Sequence, residues 1–300
     1  MTEGLPASTE TGVRHVEGDL LPPSSNQGLL EVFRRRYLLR LLVKREISAR
    51  YEGSFLGLLW SYINPASQFF IYWFVMGKIM RLHDSIPNFA IHIFSAIIVV
   101  HFFTETFGAG TRSIVRNKSL VVKMAMPREM FPVAAMLVSL YHVLPQLLIL
   151  VIVLLSTGWV PTVTGVAAML LALAIAMTLG TALALLFSTA NVFFRDFGSF
   201  VGILTNYVRF GVPMLYSFSF IDPMATWVKE LYLANPIASA VLLMQETFWV
   251  PAVDAADQAL VVMPDHLLSR GLIALGVSVV VLVIGQLVFS KFENKIPERI

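Results

Sequence analysis

Apolar residues in this chain run in long blocks rather than alternating with polar ones. Six blocks reach the roughly 20 residues that a helix needs to cross about 30 Å of hydrocarbon. They are Trp60–Met80, Phe89–Gly110, Val133–Ser156, Val163–Phe187, Gly198–Phe220 and Gly271–Phe289. A further block, Ile237–Val250, would be about 21 Å long as a helix; it is too short to span and reads as re-entrant or interfacial. The pattern predicts an all-α membrane protein with six transmembrane helices, its membrane domain covering 57–295. Upstream, Leu30, Phe33, Tyr37 and Leu41 recur at helical spacing among Arg34, Arg35, Arg36 and Arg40. This predicts an amphipathic interfacial helix within 28–56, its cations directed at anionic headgroups. Residues 1–27 hold Pro6, Pro22 and Pro23 and no apolar block, so they read as a disordered cytoplasmic tail without a secretory signal.

Composition agrees with the pattern. Of 300 residues, 57% are hydrophobic and 14% charged, which excludes an ordinary soluble globule and a disordered chain. The absence of cysteine excludes disulfides and thiolate metal sites. A net charge of +3 gives no reason to expect nucleic acid. Position matters more than sum. Seventeen of the 22 Lys and Arg residues lie before Trp60, between the second and third blocks, at Arg195, or after Phe289; Lys78, Arg81, Lys229 and Arg270 lie on the other side. The positive-inside rule then predicts a multi-pass plasma-membrane protein with both termini cytoplasmic.

Several blocks carry more than apolar residues. In the first, Tyr62, Phe69, Trp73 and Met76 share one helical stripe, with Ser61, Asn64, Gln68 and Tyr72 beside them. Polar side chains facing lipid are costly, so this face is expected against protein or a hydrated path. Rings beside hydrogen-bonding groups suit a sugar; interhelical packing is the alternative. In the fifth, Asn206, Arg209 and Tyr216 share a stripe with Pro213, and Arg209 would lie roughly 16 Å into the span. An intramembrane charge is a functional candidate; an ion pair with Glu105 is the alternative. The fourth carries a small-residue ladder, Ala168, Ala172, Ala176, Gly180 and Ala184, that permits close helix packing. His92, His101 and His142 lie apart on the sequence and lack ligand spacing, so no metal site is expected.

Motifs sharpen the picture. Arg50-Tyr51-Glu52-Gly53-Ser54-Phe55-Leu56-Gly57-Leu58-Leu59-Trp60-Ser61-Tyr62-Ile63-Asn64-Pro65 resembles the start of the first span in permease subunits of polysaccharide ABC exporters. Asn117-Lys118, Met126-Pro127-Arg128, Asn191-Val192-Phe193-Phe194-Arg195-Asp196 and Asn235-Pro236 resemble further segments of that family. The likeness extends over about 30–295 and is greatest to mycobacterial galactan-exporting members. The resemblance implies a type 2 ABC exporter fold, working as a homodimer with two separate ATPase subunits on its cytoplasmic face. ATP and Mg would be bound by those partners, with no cofactor in this chain. It also implies that Arg116, Asn117, Lys118, Leu120, Val121 and Lys123 belong to an ATPase-coupling helix. Extracytoplasmic gate helices would map to Met224–Leu233 and Ile237–Val250, and the substrate would be a glycan on a polyprenyl pyrophosphate lipid.

The chain contains no G-x-x-x-x-G-K-[ST] phosphate loop, no G-x-S-x-G elbow and no H-E-x-x-H. It is therefore expected to be a transport subunit rather than an enzyme. Export of a drug or lipid, a membrane-embedded glycosyl- or acyltransferase, and an ion-coupled transporter are the rival readings.

Overall fold

The computed structural model describes residues 28–124 and 126–300. The expected tail, 1–27, lies outside the described residues. Within them the fold is helical throughout, and twelve α-helices follow one another. The first two, α1 (Leu29–Arg34) and α2 (Arg36–Tyr51), lead to α3 (Trp60–Ile71), which continues as a π-helix over Tyr72–Ile79. Next come α4 (Phe89–Arg116), α5 (Lys118–Lys123), α6 (Met130–Ser156), α7 (Val163–Phe193) and α8 (Phe197–Phe210). Then follow α9 (Thr226–Leu233), α10 (Pro236–Phe248), α11 (Leu267–Phe292) and α12 (Ile296–Arg299).

Four helices are long and apolar enough to cross a membrane: α4, α6, α7 and α11. Helix α4 is the centre of the molecule. It packs on α6, α7, α8 and α10, and nearly every residue from Phe89 to Val100 is buried. Several of its hydroxyls bond their own helix: Thr104 donates to the Val100 carbonyl at 2.8 Å and Thr111 to that of Phe107 at 2.8 Å. Such local bonding satisfies hydroxyls in an apolar interior. The small-residue ladder of α7 meets neighbouring helices, as its spacing predicts. Ala168, Ala172, Ala176, Gly180 and Ala184 are buried, and a Cβ placed on Gly110 of α4 would lie 2.5 Å from that of Ala184. On another side of α7, a Cβ on Gly285 of α11 would lie 2.6 Å from the Ala182 carbonyl oxygen.

Local signals account for several helix starts. Thr162 caps α7 by accepting from the Gly165 amide, and Asn235 caps α10 by accepting from Ile237 with Pro236 in the first turn. The expected helix over Gly198–Phe220 is corrected: α8 stops at Phe210. Gly211 and Pro213 follow at once, and Pro213 lacks the amide that continuation would require.

The N-terminal segment forms two helices, separated at Arg35, with an ion pair between Arg35 and Glu31 at 2.6 Å. The stripe Leu30, Phe33, Tyr37 and Leu41 is the exposed face. Val32, Leu39 and Leu42, on the other side, join a cluster with Ile114, Met130 and Phe289. The segment is thus apolar on two faces, one packed on the protein and one left outward. Arg34, Arg36 and Arg40 are exposed as well.

Candidate functional site

The polar side chains of α3 lie along two connected regions. At its first turns, Ser61 hydrogen-bonds the Tyr51 hydroxyl, which also lies 3.3 Å from Nδ1 of His142 on α6. One residue before the end of α2, Arg50 Nη2 donates across to Glu105 Oε1 on α4 at 2.9 Å, both side chains being half exposed. The outcome for Glu105 is therefore an ion pair with Arg50, not with Arg209. Together these residues wall an open cleft of about 410 Å³ between α2, α3, α4 and α6, with Asn64, His101 and Gln146 also in its lining. A narrower cavity of about 90 Å³ shares Arg50, Glu105 and Ser139 with it and reaches Arg116 and Asn117. Sequence reading missed this cleft, since its walls come from four separate segments. The one available signal was the polar set Ser61, Asn64 and Gln68.

Farther along α3, Gln68 donates to the Tyr72 hydroxyl at 2.8 Å. Arg209, at the end of α8, lies within electrostatic reach of Tyr72 and His101. Gln68 and Tyr72 thus form a polar pair on one side of α3 and its continuation, with the Arg209 charge in electrostatic reach of Tyr72. Arg209 and Asn206 are exposed, and among the described residues Arg209 has no ion pair. The aromatic residues separate. Phe69 packs edge-on against buried Phe94 at 5.1 Å, so it is a core contact and not an open face. Tyr62 and Trp73 remain exposed, and Trp73 forms a cluster with Phe70 and Phe74, whose rings stack at 5.6 Å. The π-helix shifts the direction of side chains beyond Tyr72; such insertions often mark functional positions.

Three side chains hold the chain at and just beyond the end of α8. The Tyr216 hydroxyl donates to the Phe210 carbonyl at 3.1 Å, Asn235 to that of Gly211 at 3.5 Å, and Gln245 to that of Pro213 at 2.7 Å. Helix termini leave carbonyls without intrahelical partners, and buried ones need replacements. Tyr216, expected on the substrate path, is instead half-buried and has its hydroxyl committed here and to Tyr232 at 3.1 Å. Burial and the Tyr216 hydroxyl push the Tyr232 phenol above its ordinary range, so it keeps its proton. Helix α10 is buried along almost its whole length, against α4, α7 and α11. Gln245 also approaches His92 Nε2 at 3.0 Å, and Trp249 donates to the Pro87 carbonyl at 2.6 Å. Nearby, the Arg270 guanidinium holds the Glu230 carboxyl below the usual carboxylate range through paired contacts of 2.9 Å.

The short helix α5 only partly matches its expected docking role. Val121 is buried in the cluster with Val32 and Met126, and Leu120 is half-buried. Asn117 is buried, accepting from Arg45 at 3.2 Å and donating to the Ser113 carbonyl at 3.0 Å. Sequence spacing could not show that α1 and α2 would cover this side. The outward residues are Lys118, Val122 and Lys123, with Arg116 paired to Glu46 at 3.4 Å.

A helix bundle centred on α4, with four helices among the described residues long and apolar enough to cross a membrane, fits a membrane protein. The chain belongs to the ABC-2 type transporter family, whose model matches residues 37–249. It is similar to the O-antigen export system permease protein RfbA of Myxococcus xanthus, at 31% identity over 220 residues, covering 73% of this chain and 83% of the relative. It is also similar to a permease of the same name from Klebsiella pneumoniae, at 28% identity over 212 residues, covering 70% and 80%.

Proposed function

We propose that this chain is the membrane subunit of an ATP-driven exporter that carries a lipid-linked glycan outward across the plasma membrane. The relatives are named as O-antigen permeases, and a galactan or O-antigen-like polymer on polyprenyl pyrophosphate is the substrate class of this reading. Two copies face each other across α3 and α8, and two separate ATPase subunits that bind ATP and Mg dock on the cytoplasmic side. The chain crosses the membrane six times with both termini inside; α3 with its π-helix, and α8 together with the broken stretch that follows it to Phe220, supply the two spans beyond the four long apolar helices. Helices α9 and α10 form the extracytoplasmic gate.

One observation carries the reading: Arg209 and Asn206 stand exposed on α8, with Arg209 in electrostatic reach of Tyr72 and without an ion pair among the described residues. Such a face is too polar for lipid and suits a hydrated path between two copies. Rings offer a growing glycan many weak, sequence-tolerant contacts. The ATPases drive transport only by binding two conformations of the dimer unequally.

The test is Arg209→Leu in cells that depend on this chain for a surface glycan. Export is expected to fall while membrane abundance and dimer formation stay at wild-type levels. Wild-type export, or loss of the dimer itself, refutes the path assignment.

A further inference from the structure

The cleft between α2, α3, α4 and α6 is lined by residues other than Gln68, Tyr72, Trp73 and Arg209. We infer that it is a saccharide-binding site, one that holds one or two sugar units of the glycan on the cytoplasmic half of the protein. The inference rests on the export reading for its ligand, and on the cleft's own chemistry for its place.

Four observations select a sugar. First, the volume of about 410 Å³ falls in the range of small-molecule sites, roughly 300–1,000 Å³. Second, Asn64, Gln146 and Glu105 present planar amide or carboxylate groups to one space. Each such group has two polar atoms on one edge, spaced to meet neighbouring hydroxyls of a ring. Third, Trp60 stands at the rim, 42% exposed, and gives a flat apolar surface for the C–H face of a sugar. Fourth, the Tyr51 hydroxyl, hydrogen-bonded to Ser61 and 3.3 Å from His142 Nδ1, adds a group to the lining that can both donate and accept.

Charge separates a sugar from a phosphate. Arg50 and Glu105 neutralise each other at 2.9 Å, so the cleft carries no net charge from this pair. An anionic headgroup would have to displace Glu105 from Arg50 and leave the carboxylate beside it. A neutral ring can bond both partners and leave the pair intact. The narrower cavity beyond this pair reaches Arg116 and Asn117, next to α5. Occupancy of the cleft is therefore adjacent to the segment read as the ATPase contact.

The experiment uses the full chain in nanodiscs with β-linked galactobiose as the probe, followed by saturation-transfer NMR, which detects weak binding. A saturable signal is expected, unaffected by excess inorganic pyrophosphate. Asn64→Ala and Gln146→Ala are each expected to weaken it roughly tenfold, about one hydrogen bond's worth of binding. Asn64 is exposed and makes no side-chain hydrogen bond among the described residues, so its variant tests binding without a folding penalty. No saturable signal, a signal that survives both substitutions, or displacement by pyrophosphate overturns the saccharide site. In parallel, a deletion strain reports on the export reading itself. If deletion abolishes glycan export and the disaccharide does not bind, the cleft inference alone fails. If export continues without the chain, the export reading fails.

Discussion

Gln245 is the residue on which the broken end of α8 depends most. It is 1% exposed, and its amide nitrogen donates to the Pro213 carbonyl at 2.7 Å and approaches His92 Nε2 at 3.0 Å. Gln245→Leu keeps the approximate volume and removes both bonds. Each buried group left without a partner costs about 1–3 kcal/mol, hence about 2–6 kcal/mol for the two. Burial of the leucine side chain offsets about 1.5–3 kcal/mol, which leaves a net loss of about 2 kcal/mol at the middle of these ranges. The assay is reversible denaturation of the purified chain in mild detergent, followed by tryptophan fluorescence. Hydrogen exchange across 211–217 provides a local reading, expected to quicken about tenfold for each 1.4 kcal/mol lost. A double-mutant cycle with His92→Leu isolates the His92 contact. Replacing both partners by apolar groups is gentler than orphaning one, so the two losses should not add. A coupling below about 0.5 kcal/mol, or unchanged exchange at 211–217, refutes Gln245 as the tie between α10, α4 and the break.

Val122→Asp is expected to release the ATPase partner in a detergent pull-down while leaving the thermal midpoint of the chain unchanged, because Val122 is the 57% exposed apolar residue of α5; undiminished co-purification refutes α5 as the docking segment. Gly285→Ala should destabilise the chain by about 1–3 kcal/mol, since its Cβ would meet the Ala182 carbonyl at 2.6 Å and backbone cannot move aside cheaply. Gly276→Ala, on the same helix with open space around it, should instead be neutral or stabilising by up to about 1 kcal/mol; equal effects at the two positions would show that close approach to α7 is not what Gly285 serves.

Long apolar blocks were enough to place α4, α6, α7 and α11, because a membrane helix must satisfy its own backbone and shows this as uninterrupted apolar sequence. The ladder on α7 was equally legible: residues spaced by four share a face, and small ones there have little purpose except close packing. The motif around Arg50–Pro65 carried the family before any coordinate was known. Periodicity could not say which of two apolar faces is buried. Only the neighbours of α1 and α2 turn Val32 and Leu39 inward and leave Leu30 and Phe33 outward. The same limit hid the burial of Val121 and the contact between Phe69 and Phe94. Charge alone suggested Arg209 as the partner for Glu105, and the position of α2's end beside α4 made it Arg50 instead. The end of α8 was foreshadowed by Gly211 and Pro213, but its stability depends on Tyr216, Asn235 and Gln245, which arrive from later in the chain. Local sequence determines which segments become helices, since that balance is settled within a few turns. The cleft, the ion pair and the cap on α8 require side chains separated by tens of residues, and only tertiary packing sets their distances.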